Sequence, residues 1–226
     1  MSVLQRVVGI VGTLQLATLF AILILRRHYR LSPIFTLYAG GVCATHVALG
    51  LFYVKETWIV HQAATAALRF GVALELAQRI FGAFPAAAAT ARRMMLGLLV
   101  VTGVLAMSTG SPDYDQFITL TVPSLATGTV WILTALAALV LWYRLPVTMM
   151  QKAILIGLAP YLLVFTVMMN LLASLGWQYR EWLSYVNTAS YMALIGYWTW
   201  TAWRNAPEAI ASVRRQAVVD VARQTP

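Results

Sequence analysis

The chain is poor in charge, in acid and in thiols, and each scarcity excludes something. Charged residues make up 10% of the 226 positions and hydrophobic ones 61%, with a mean hydropathy of +0.76. Soluble domains carry about 25% charged and about 45–50% apolar residues, so a water-soluble fold of this length could not hide its apolar surface; a chain in lipid has no need to. Cys43 is the single cysteine, which excludes an intramolecular disulfide, and inside an apolar run it reads as a small packed hydrophobe. There is no G-x-S-x-G, no H-E-x-x-H and no phosphate-binding loop, which argues against a serine hydrolase, a zinc protease and nucleotide chemistry. No positively charged leader precedes the first apolar core: Arg6 stands there alone, while Arg26, Arg27 and Arg30 follow it. That pattern predicts a retained helix that sends its N-terminus outward, not a cleavable signal peptide.

What is abundant is apolar sequence in long runs. A span needs about 20 apolar residues. Seven runs qualify: Val3–Leu25, Pro33–Val54, Trp58–Phe81, Met94–Met107, Phe117–Tyr143, Thr148–Leu175 and Trp182–Trp203, of which the fourth is shortest. Many of the eight Trp and ten Tyr fall near span ends, among them Tyr29, Trp58, Trp142, Trp177, Trp182 and Trp203, as an interfacial aromatic belt requires.

Charge then orients the spans. Arg26, Arg27, Arg30, Arg79, Arg92, Arg93, Arg144, Lys152, Arg204, Arg214, Arg215 and Arg223 fall on one side with the acids Glu208 and Asp220; Arg6, Lys55 and Arg180 fall on the other with Glu56, Asp113, Asp115 and Glu181. The positive-inside rule places the first group in the cytoplasm. The net charge of +9 is therefore read as membrane orientation and not as a nucleic-acid footprint. The expected fold is an all-α membrane protein: a seven-transmembrane-helix bundle over residues 1–204, N-terminus outside, with a short basic cytoplasmic tail over 205–226. Its place is the cell membrane as a multi-pass protein, of the prokaryotic inner-membrane type.

Polar residues inside spans are functional candidates because lipid makes them costly. In the third span His61, Thr65 and Arg69 recur every four residues and form one stripe, with Arg69 about eleven residues from either end. Glu75 and Arg79, four apart, are predicted to form a structural ion pair. Other spans contribute Ser124 and Thr127, Asn170, Asn187, Thr188 and Tyr191, Thr45 and His46. With the directions above, His46, His61, Ser124, Asn170, Asn187 and Thr188 share the outer half, and Arg69 lies at the floor of that cluster. Each Ser or Thr alone is equally explained as glue between helices; together they suggest a polar cavity open to the outside.

The chain resembles the microbial rhodopsins in length, span count and direction. That resemblance implies retinal on a lysine in the middle of the last helix, yet the only lysines are Lys55 and Lys152, at span ends. The aspartate counter-ion pattern of the third helix is missing as well, so no covalent pigment is expected. Haem would need facing axial ligands, and counting from their shared loop puts His46 and His61 about 7 Å apart in depth. No catalytic residue, cofactor or metal site is expected. The function expected from the cluster is non-enzymatic binding of a small or lipidic ligand, by a sensor, receptor or carrier, with membrane lipids and a signalling partner protein as neighbours. An interaction or scaffold subunit of a larger membrane complex is the alternative, with a transporter, channel or membrane enzyme behind it.

Overall fold

The computed structural model describes residues 3–52, 55–81, 122–143, 145 and 147–204. These residues form six long helices: α1 (Val3–Leu25), α2 (Pro33–Leu51), α3 (Lys55–Phe81), α4 (Val122–Tyr143), α5 (Met149–Leu175) and α6 (Arg180–Arg204). Among the described residues there is no strand. Four of the helices, α1, α2, α4 and α5, are long and apolar enough to cross a membrane, so the chain is a helical membrane protein. The polar stripe of α3 and the Trp, Tyr, Ser and Asn of α6 keep those two helices below the same apolar measure. The expected fourth span, Met94–Met107, and the tail 205–226 lie outside the described residues.

Local chemistry explains the helix ends. α1 stops at a basic turn in which Arg27 takes the left-handed conformation, φ 57°, and one 3-10 turn, His28–Arg30, leads to Ser32 and to Pro33 at the start of α2. Proline fits there because the first helical N–H needs no intrahelical partner. α5 opens on a reciprocal capping box: Gln151 N–H donates to Thr148 Oγ1 (3.2 Å), and Thr148 N–H donates to Gln151 Oε1 (3.0 Å). It closes at Gly176, whose φ of 91° suits only glycine without strain. Two boundaries differ from those expected: α2 ends at Leu51, three residues before Val54, and α3 begins at Lys55, three before Trp58. The charged Lys55 and Glu56 extend α3 by nearly a turn, because a helix end at the interface satisfies its N–H groups with water, whatever the apolar content.

The helices pack as a closed ring in the order α1, α2, α3, α4, α5, α6, with α6 returning to α1. Specific contacts fix which ends coincide. Arg26, just past α1, lies over the Trp203 ring near the end of α6 at 4.7 Å, and His28 Nε2 is 3.0 Å from the Ala202 carbonyl oxygen. The start of α2 is at the same end: Phe35 meets Trp198 edge-on at 4.9 Å, and the Ile34 and Phe35 N–H groups donate to Glu75 of α3. α5 starts there too, since Trp198 Nε1–H donates to the Ala153 carbonyl at 3.1 Å. The link at positions 144–148 reaches at most about 22 Å, less than the about 33 Å length of the 22-residue α4. α4 therefore finishes where α5 begins. Helices α1, α3, α4 and α6 thus run one way and α2 and α5 the other, which leaves Phe81 and Val122 at opposite ends of the bundle.

The core is apolar and interlocked. Trp198, Tyr38, Phe35, Leu158, Leu162 and Ile195 are almost fully buried where α2, α5 and α6 meet. Gly157 permits the close approach of α5 and α6: a Cβ there would lie 2.5 Å from Leu194 Cδ1 and 3.0 Å from Trp198 Nε1. Small residues at such seams do what hydrophobic burial cannot do in lipid, letting helix surfaces come into van der Waals contact.

Candidate functional site

Arg69 sits halfway along α3 and faces α2, α5 and α6. Its Nη2 donates to the Tyr161 hydroxyl at 3.1 Å, and its guanidinium lies 5.1 Å from the Tyr161 ring centre and 5.7 Å from that of Phe165. The phenols of Tyr38 and Tyr191 also face it. These two share a hydrogen bond at 3.2 Å, and the Tyr161 and Tyr191 rings stand 5.3 Å apart. Three neutral phenols and a phenyl ring thus surround one permanent positive charge. Among the described residues no carboxylate lies within ion-pair reach of it. Aromatic faces stabilise a desolvated cation by about 2 kcal/mol, and placing arginine at mid-membrane costs about 2.5–3.5 kcal/mol even on the insertion scale. The aromatic cradle makes the site tolerable without neutralising it.

Arg69 Nε, Thr65 Oγ1 one turn earlier, Thr166 Oγ1, Asn187 Oδ1 and Gln15 Oε1 are buried and have no hydrogen-bond partner. Each such atom costs about 1–3 kcal/mol when left dry. The set mixes donors and acceptors on α1, α3, α5 and α6, and buried groups of this kind are satisfied by ordered water or a polar guest where one reaches them.

His46 and His61 lie toward the opposite end from the basic turn. Their rings are 5.0 Å apart and tilted by 56°, and His61 Nδ1 is 2.7 Å from Thr45 Oγ1. Loop counting suggested a difference in depth; the observed helix ends remove it. His46 is five residues before Leu51 and His61 six after Lys55, so the two are nearly level. No third His, Cys, Asp or Glu joins them among the described residues.

The remaining candidates divide. Asn187 and Tyr191 are half-buried on α6, whereas Asn170 of α5 is exposed. Thr188 donates to the Ser184 carbonyl of its own helix at 2.8 Å. Ser124 belongs to the first turn of α4, and its side chain lies outside the described residues. Glu75 and Arg79 are in contact at 3.2 Å, but Glu75 also acts between helices. Its Oε2 accepts from the Ile34 and Phe35 N–H groups at 3.0 and 3.1 Å, capping α2 from a neighbouring helix. Sequence reasoning did not include Tyr38 and Tyr161. The available signal was their position: both stand inside a span, where a belt tyrosine would not, and a buried phenol needs a partner.

Comparison with known protein families, curated proteins and solved structures finds no match to this chain.

Proposed function

We propose that the chain is a seven-span membrane protein, N-terminus outside, that binds a small or lipidic molecule through an anionic group held at Arg69. The observation that carries this reading is a mid-membrane guanidinium bedded on Tyr161 and Phe165, with a buried, unpartnered Nε and no carboxylate within ion-pair reach among the described residues. A carboxylate or phosphate would take the remaining guanidinium donors in a charge-assisted, bidentate fashion. The unpartnered Thr65, Thr166 and Asn187 would receive its polar neighbours, and the level pair His46 and His61 would line the way in from outside.

Two features support the seven-span reading. Phe81 ends and Val122 begins parallel helices at opposite ends of the bundle, an arrangement consistent with a seventh crossing in the sequence between them. Of the basic residues in the described segments, Arg26, Arg27, Arg30, Arg79, Lys152 and Arg204 lie at one end, against Arg6, Lys55 and Arg180 at the other and Arg69 between them, the asymmetry of a cytoplasmic face. With its function in a binding site, the protein acts as a sensor, receptor or carrier and not as an enzyme.

The test is to identify what co-purifies. Wild-type protein extracted from membranes in mild detergent should retain an anionic molecule at about one per chain, detected by mass spectrometry. Arg69→Gln should lose it while keeping helical content, and Tyr161→Phe should keep part of it. Equal recovery from wild type and Arg69→Gln would reject the proposal.

A further inference from the structure

The geometry points to a second site, independent of the Arg69 reading: the seam where α1 and α6 finish binds the phosphodiester headgroup of an anionic phospholipid. Four arginines converge there. Arg26, Arg27 and Arg30 are brought around the end of α1 by the tight turn that the left-handed Arg27 makes possible. Arg204 closes α6. The His28 contact with the Ala202 carbonyl holds the two ends together, so the four arginines are carried by two joined helix ends.

Two of the guanidiniums are seated on indole rings, and that of Arg30 lies more loosely over the Tyr29 ring at 5.9 Å. Arg26 lies 4.7 Å over the Trp203 ring and Arg204 4.5 Å over the Trp200 ring. Stacking on an indole uses the face of a guanidinium and leaves its edge N–H donors available, the geometry that takes two phosphate oxygens at once. Among the described residues no carboxylate is in ion-pair reach of any of the four.

The apolar surroundings select a lipid over a soluble phosphate. Leu25 is 79% exposed, and Trp203 and Trp200 are 58% and 54% exposed, directly beside the charges. A headgroup held by the arginines would lay its acyl chains along these side chains at the membrane interface. A free phosphate ion gains nothing from them.

The experiment uses the full chain in phosphatidylcholine nanodiscs doped with phosphatidylglycerol, with retained phosphatidylglycerol counted by native mass spectrometry. The double variant Arg26→Gln with Arg204→Gln should weaken retention about tenfold, since it removes both forks seated on indole rings. Trp203→Leu, which keeps the charges and the apolar surface, should weaken it about threefold through the lost stacking. Lys152→Gln, an exposed cation of the same end carried by α5, should change nothing. Excess inorganic phosphate should leave the lipid bound. Equal loss from Lys152→Gln would reduce the site to diffuse surface charge, and displacement by inorganic phosphate would make it a site for any anion. Either result, or an unchanged double variant, overturns the proposal.

Discussion

Replacing Glu75 should destabilise the bundle more than replacing the arginine it pairs with. Glu75 Oε2 accepts from two backbone N–H groups in the first turn of α2, while Oε1 accepts from Arg79 at 3.2 Å. Glu75 is buried, whereas the Arg79 side chain is 34% exposed. An exposed member of an ion pair regains hydration when its partner goes, so the Arg79 share is small, about 0–1 kcal/mol. The backbone share is larger: a negative charge at a partly buried helix start is worth up to about 2 kcal/mol, and hydrogen bonds to charged groups about 1.5–3 kcal/mol. Glu75→Gln keeps an acceptor oxygen and loses the charge, for an expected cost of about 1–2 kcal/mol. Glu75→Leu removes both acceptors and should cost about 2–4 kcal/mol. At about 2–4 °C per kcal/mol for a chain of this size, Glu75→Gln should melt about 2–8 °C below wild type and Glu75→Leu lower still. The assay is intrinsic tryptophan fluorescence during heating in one detergent at one scan rate, which keeps kinetic stability comparable across variants. An Arg79→Gln loss equal to that of Glu75→Gln would refute the capping role. So would a Glu75→Leu protein as stable as wild type.

Two further substitutions probe the packing that holds the site. Gly157→Val should destabilise by about 1–3 kcal/mol, because a side chain there drives into Leu194 and Trp198; a variant that melts with wild type would contradict the close approach of α5 and α6. Trp198→Phe should cost about 1–3 kcal/mol, since it removes the indole's bond to the Ala153 carbonyl and shrinks a fully buried ring, and a neutral result in the same melting assay would contradict that contact.

The legible part of the fold was whatever depends on composition along one helix. The bounds of α1 follow from its apolar run alone, and the apolar run of α5 likewise puts its start within one residue of the observed Met149. The Glu75–Arg79 spacing likewise foretold a contact within one helix turn. Contacts between helices were not legible, because they depend on how each helix is rotated about its axis. Tyr38, Tyr161 and Tyr191 meet Arg69 from three different helices, and no spacing rule links positions so far apart in sequence. Glu75 capping α2 belongs to the same class. The level pairing of His46 and His61 was missed for a simpler reason: hydropathy marks where a helix enters lipid, while Lys55 and Glu56 continue the helix beyond it.

The most direct test of the anion-binding account is an experimental density map of the protein in a lipid bilayer, at a resolution that shows ordered guests. The account predicts non-protein density within hydrogen-bonding distance of Arg69 Nε, shared with Thr65, Thr166 or Asn187. A dry interior in which those same atoms are satisfied by neighbouring helices, leaving no space beside the guanidinium, would contradict it.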